Sequence, residues 1–319
     1  MAREKFGSRF GVLMAMVGSA VGLGNMWRFP YMVSEYGGAA FIFVYVLCVF
    51  CLCLPIFFAE FIIGRRSQAN AFRAFEKLAP GTPWKWVGLV AVTAPVVILS
   101  YYSVIGGWSI QYFFKACTFG FTERVTQEYL DTMFAGFISS TWAPIVGHTF
   151  FLIVTSLVLL GGVKSGIERF GKVMMPVLYV IVLVIAIWTA MLPGASEGLS
   201  FLFNPDFSKI DASVCAAALG QAFFSLSLGY GTMLTYASYV SKKEDIASSS
   251  TTIALSDLVF SLIASCAIMP AVFAFGLNTQ GGPGPVFQTL PYIFCQKFEI
   301  LIENRLWDNL ELNRILILT

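Results

Sequence analysis

The chain has 319 residues, of which 57% are hydrophobic and only 12% charged, with a mean hydropathy of +0.77. A water-soluble domain carries roughly 25% charged residues, so the composition excludes a soluble globular protein. The formal net charge of +2 supplies no basic excess for a nucleic-acid partner, and the positions of the charges say more than their sum.

A helix that crosses a bilayer needs about 20 mostly apolar residues. Seven segments supply them: 10–33, 40–63, 86–114, 144–162, 172–192, 213–240 and 252–277. No short apolar core followed by a small-residue cleavage site is visible, so the first segment reads as a retained helix. With the N-terminus inside, Arg3, Lys5 and Arg9, then Arg65, Arg66, Arg73, Lys77 and Lys85, then Lys164, Arg169 and Lys172, then Lys242 and Lys243 all face the cytoplasm. Only Lys115, Arg124 and Lys209 fall in the outer segments between helices. This bias predicts a multi-pass protein of the cell inner (plasma) membrane with a cytoplasmic N-terminus.

Cys48, Cys51 and Cys53 contain a C-x-x-C spacing, but they lie in an apolar helix, far from the single His148. They read as small buried hydrophobes rather than metal or redox groups. The segment 278–294 opens on a Gly- and Pro-rich run that breaks helices and continues in an apolar stretch too short to span. It reads as an outer loop that dips back toward the protein. The tail, 295–319, carries charges every few residues and no Gly or Pro. It reads as an amphipathic surface helix or, preferably, as read-through sequence without a native role.

Two spans are interrupted. GSAVGLGNMWRFP (18–30) puts three Gly, Asn25, Arg28 and Pro30 inside a membrane helix. Gly18 and Gly22 suit close helix packing, which leaves Asn25 and Arg28 unexplained. An unwound turn explains them all, because it frees carbonyls for a cation and N–H groups for an anion. The sixth span carries Ser225, Ser227, Gly229 and Gly231 at mid-membrane. Hydroxyls of this kind can bond back to their own helix, but two Gly-interrupted spans heading successive halves point to a transporter site. Asp257 lies within the seventh span, where a carboxylate is costly; it reads as functional rather than as a helix-end residue. Tyr102 brings a hydroxyl suited to a ligand carboxylate, and Glu60 reads as a carboxylate that satisfies backbone or packing.

The run GSAVGLGNMWRFPY with GGAAF (37–41), then SGIERF (165–170), QAFFSLSLGYG (221–231), TYASY (235–239) and the TLPYIF of the outer loop resembles the neurotransmitter:sodium symporter family over about residues 3–294. The resemblance implies an all-α membrane protein with an inverted-repeat (5+5) transporter fold and discontinuous first and sixth helices. The first repeat would be 1–192 and an incomplete second repeat 193–294, with 295–319 outside the family pattern. It implies sodium as the coupling ion. The first sodium would be held by Ala20, Asn25, Ser225 and Asp257, and part of a second sodium site by Gly18 and Val21. Asp257 stands where the family often has Asn. A substrate carboxylate would meet the amides of Leu23 and Gly24 and the Tyr102 hydroxyl, and its side chain Ile98, Phe224, Ser227 and Tyr230. Arg28 matches an outer gate, and Arg3, Ser238 and Tyr239 an inner one.

These residues argue for symport of a neutral amino acid with a hydrophobic or aromatic side chain, in a lipid bilayer and with a homodimer allowed. An amino-acid-binding sensor that does not transport would use the same residues and stays open. An intramembrane enzyme would need a Ser–His, Asp–Asp or metal constellation that the spans lack. Relatives that use chloride suggest a lining of Tyr45, Gln221, Ser225 and Ser261, where the charge of Asp257 would repel the anion. The family has about twelve spans against seven here, so Arg28 is expected to lack its acidic partner and the chain as given is expected not to transport.

Overall fold

A computed structural model describes residues 5–118, 126–277 and 291, and every regular element among them is helical. In chain order these are α1 (Arg9–Ala20), a π-helical turn (Gly24–Arg28) running into α2 (Phe29–Glu35), and α3 (Ala39–Cys48), joined through a second π-helical turn (Val49–Cys53) to α4 (Leu54–Ser67). Then come α5 (Ala71–Leu78), α6 (Lys85–Cys117), α7 (Gln127–Ser139) and α8 (Trp142–Leu160). A third π-helical turn (Val163–Glu168) leads into α9 (Arg169–Ala190), followed by α10 (Ala195–Phe203), α11 (Ala212–Ser225), α12 (Thr232–Ala237) and α13 (Ile246–Ala274).

Five of the described helices are long and apolar enough to cross a membrane, and α1 with the Gly24–Glu35 segment makes a sixth, bent by 51° at its break. The sixth predicted span, 213–240, is not one helix but the apolar α11 and the short α12 with an unwound link between them. The fifth begins at Val163 rather than 172, so Arg169 and Lys172 are helical and the expected inner loop shrinks to a turn at Gly161 and Gly162. The surface helices α5, α7 and α10 were not among the predicted spans. Arg3, Arg124, the tail 295–319 and all of 278–294 except Pro291 lie outside the described residues.

Local sequence explains where these helices start and stop. Ser8, Asn70, Asp211 and Asp245 cap α1, α5, α11 and α13, each side chain accepting a first-turn N–H, which satisfies donors that a helix start leaves free. Gln68, in the left-handed region at φ 50°, ends α4.

The described chain falls into two compact units. The larger holds residues 5–103 and 150–277. In it α13 packs on α9, α10, α1 and α4, while α12 packs on α4 and α11 on α3. Its helices approach closely where side chains vanish: a Cβ on Gly64 would lie 2.1 Å from the Leu234 carbonyl oxygen, a contact that fixes α12 against α4. Val90, Val96, Leu157, Leu160, Val180 and Val184 are exposed, an apolar outside that suits lipid. The smaller unit, 104–118 with 126–149, has its own close approach. A Cβ on Gly107 would lie 2.5 Å from the Gly147 carbonyl carbon, and Gln111 Nε2 donates to the Ala143 carbonyl at 2.9 Å.

Candidate functional site

The break in the first span is stabilised by its own sequence. Val21, at φ −77° and ψ 120°, leaves the helix after Ala20. Asn25 then closes the gap: its Oδ1 accepts the Gly22 N–H at 3.0 Å, and its own N–H donates to the Gly22 carbonyl at 3.1 Å. The Gly24 N–H donates to the Tyr102 hydroxyl at 2.9 Å. A Cβ at Gly24 would stand 2.9 Å from the Phe224 ring, so a larger residue there would force that ring to shift.

The second break follows α11. Ser227, Gly229 and Gly231 take positive φ (52°, 79° and 66°), a conformation that disfavours side chains other than at Gly, so Ser227 is held there by its surroundings. Its Oγ donates to the Ser19 carbonyl at 3.4 Å and ties one break to the other. Glu60 Oε1 accepts the Gly229 N–H at 2.7 Å, the backbone-satisfying part expected of it. Ser225 and Ser227 therefore do not bond back to their own helix.

Between the breaks lies an oxygen-rich cluster. Asp257 is fully buried, 0% exposed, in mid-α13 rather than at a helix end. Its Oδ1 accepts from Asn25 Nδ2 at 2.8 Å, and its Oδ2 from the Ser225 hydroxyl at 2.7 Å and the Tyr45 hydroxyl at 3.4 Å. Asn25 Nδ2 also faces Ser225 Oγ at 3.0 Å and Ser261 Oγ at 2.8 Å. An amide nitrogen has two hydrogens, so three acceptors around it exceed what it can satisfy. Hard, partly unsatisfied oxygens of this kind are what a small cation takes.

Beside the cluster opens a cavity of about 410 Å³. Leu23, Gly24, Ile98, Tyr102, Phe224, Ser227 and Tyr230 all line it, as do Gly18, Ala20, Val21, Asn25 and Ser225. Asp257 sits behind this lining, one hydrogen bond away through Ser225. Pro95, Leu99, Phe151 and Thr232 also line the cavity and were not anticipated.

The partners that Arg28 meets among the described residues are neutral rather than acidic. Its guanidinium lies 4.6 Å from the centre of the Phe224 ring, and Nη1 donates to Gln221 Oε1. Gln221, expected in a chloride lining, therefore has its Oε1 engaged by Arg28. At the other end, Ser238 is buried, and the Tyr239 carbonyl accepts the Phe6 N–H at 3.4 Å. Phe6 packs edge-on against Tyr239 and stacks on Tyr236. Cys48, Cys51 and Cys53 are free thiols, but only Cys53 is buried as expected; Cys48 is half-buried and Cys51 is exposed on the helix surface.

With this geometry in hand, comparison with known proteins is specific. The model of the sodium:neurotransmitter symporter family matches residues 3–133 and 138–283. An uncharacterised sodium-dependent transporter of Bacillus subtilis, YhdH, is 40% identical over 292 residues, covering 92% of this chain and 64% of the relative. The human inactive sodium-dependent neutral amino acid transporter B(0)AT3 is 31% identical over 300 residues, covering 83% of this chain and 46% of the relative. Among solved structures, MhsT in complex with L-phenylalanine superposes with a TM-score of 0.87 at 47% identity, over 92% of this chain and 67% of that one. The chain thus spans less than two thirds of the length of the B. subtilis relative and under half of the human one.

Proposed function

The chain belongs to the sodium:neurotransmitter symporter family, and we propose on that footing that its protein carries a neutral amino acid with a hydrophobic or aromatic side chain across the cell membrane together with sodium. Family and fold are those of multi-pass secondary transporters, not enzymes. The finer reading rests on one observation: two broken helices meet at a buried carboxylate ringed by hydroxyls, directly beside a largely apolar cavity.

In this reading sodium is a co-substrate, held by the Ala20 carbonyl, Asn25, Ser225 and Asp257. A second sodium draws on the carbonyls of Gly18 and Val21. The amino-acid carboxylate takes the Leu23 and Gly24 amides and the Tyr102 hydroxyl, where the helix N-terminus adds positive potential. Ile98, Phe224 and Tyr230 receive its side chain beside Ser227. Arg28 closes the outer end, and Ser238 and Tyr239, with Arg3, close the inner one. The N-terminus is cytoplasmic by the distribution of Lys and Arg. Each elementary charge moved inward yields roughly 2.3 kcal/mol per 100 mV, so two sodium ions supply about 4.6 kcal/mol, enough for about a thousandfold accumulation.

Binding of a panel of amino acids, measured calorimetrically with and without sodium, tests this reading. Large apolar amino acids should bind only in sodium, and counterflow of labelled amino acid in liposomes should separate symport from sensing. Equal binding in potassium would remove sodium from the site.

A further inference from the structure

Glu168 is a buried charge that the transport reading leaves unused. It ends the π-helical turn before α9 and is 2% exposed. Its Oε2 accepts the Gly7 N–H at 2.6 Å, and its Oε1 accepts from Ser8 Oγ at 3.1 Å and Lys172 Nζ at 2.6 Å. Ser8 is also the cap of α1, its Oγ accepting the Gly11 N–H at 3.0 Å. The sequence makes room for the carboxylate, since a Cβ on Gly11 would stand 2.0 Å from Glu168 Oε1. One acidic side chain from the fifth span thus gathers the residues that start α1.

We propose that Glu168 is a positioning residue of the transport cycle, a clasp that fastens the start of α1 to the fifth span and so sets where the other end of α1 stands at the cavity. This rests on the transport reading above. α1 is an unbroken helix of 12 residues, a stiff rod of about 18 Å at 1.5 Å per residue, and its far end supplies Ala20 to the cavity wall. Among the described residues this end has further ties: the Phe6 N–H donates to the Tyr239 carbonyl at 3.4 Å. Phe6 makes ring contacts with Tyr236 and Tyr239, and Arg9 reaches Ser248 at 2.9 Å and Glu244 at 3.8 Å from an exposed position. Hydrogen bonds to a buried ionised carboxylate are among the stronger ones a protein makes, so opening this end of the first span requires Glu168 to release Gly7 and Ser8.

Hydrogen exchange on the purified protein tests the clasp without requiring transport. Glu168→Gln removes the charge, Gly11→Ala drives a methyl group into the carboxylate, and Lys172→Gln loosens it while leaving Gly7 and Ser8 bonded. Exchange across residues 7–20 should rise about tenfold or more in the first two variants and less in the third, with α11 unaffected. In a Glu168→Ala background, adding Gly11→Ala should change nothing further, because the two substitutions break one contact. In proteoliposomes the sodium concentration for half-maximal uptake should shift in the same order. Unchanged exchange in α1, or additive effects of the two substitutions, would overturn the clasp. A general rise in exchange in every helix would make Glu168 merely structural. If the wild type binds no amino acid in sodium while its clasp variants still loosen α1, the transport reading fails and the contact stands.

Discussion

Replacing Asp257 by Asn removes one negative charge and little else. The carboxamide has nearly the same shape and keeps an acceptor for one of the donors that reach Asp257, Asn25 Nδ2 at 2.8 Å or the Ser225 hydroxyl at 2.7 Å. If a sodium ion shares Ser225 with this carboxylate, the two charges stand within about 4 Å. At an effective dielectric constant of about 20, that attraction is roughly 4 kcal/mol, or about a thousandfold in affinity at 1.4 kcal/mol per tenfold. Relaxation around the neutral side chain returns part of this, so the sodium midpoint should rise by about a hundredfold or more. The assay is binding of labelled amino acid to the purified protein over a sodium series, in gluconate and in chloride. The wild type should be indifferent to the anion, since the fixed charge at Asp257 repels a second one. The variant should recover part of its affinity in chloride, with Tyr45, Ser225 and Ser261 available as hydroxyl ligands. A variant whose midpoint in gluconate stays within about threefold of the wild type would refute the reasoning, as would strong chloride stimulation of the wild type.

Asn25→Leu should abolish sodium-dependent binding, because it removes the amide that bridges the Gly22 break and faces Ser225, Asp257 and Ser261; an unchanged sodium response in equilibrium binding counts against the assignment. Tyr102→Phe deletes the hydroxyl that accepts the Gly24 N–H at 2.9 Å. It should weaken amino-acid binding about tenfold, with sodium binding retained in a sodium-only titration. Gly64→Ala should lower the thermal midpoint by several degrees or prevent folding, since its Cβ would lie 2.1 Å from the Leu234 carbonyl oxygen; a melting curve superimposable on the wild type would show that α4 and α12 yield without cost.

The interrupted helices were legible because they break a strong rule: Gly, Asn and Arg do not accumulate in a lipid-spanning helix without a reason. The partners that complete them were not legible in the same way. Nothing in the local sequence of Tyr45 or Ser261 announces that each meets a group more than 200 residues away; only the family resemblance set them beside Ser225 and Asp257, and Phe151 is one of 31 Phe in the chain. Glu168 was hidden for a different reason. Scanning for apolar runs stops at charges, so Lys164, Glu168, Arg169 and Lys172 read as a solvated loop. The structure instead continues the helix through them and buries the acid against the Gly7 backbone N–H, 161 positions upstream, and the Ser8 hydroxyl. The short helices α5, α7 and α10 escaped because they are too short for a search tuned to about 20 apolar residues.

The two breaks also bear on why the cargo should move together. A helix interrupted within a membrane leaves N–H and C=O groups that must be satisfied by protein or by a lined cavity. Here Asn25 answers Gly22, Glu60 answers Gly229 and Ser227 answers Ser19, so the scaffold is held without cargo, and the oxygens in excess are those around Asn25 Nδ2. On the proposed assignment, the first site holding neither ion nor amino acid presents one fixed negative charge. Adding sodium cancels that charge, and adding a zwitterion leaves the sum at zero. The amino acid alone would set its carboxylate beside an unneutralised Asp257, and like charges that close in a low-dielectric site repel strongly. Sodium is therefore the condition on which the carboxylate can enter, and by reciprocity the bound amino acid tightens the hold on sodium. Coupling in this arrangement follows from charge balance at a buried carboxylate.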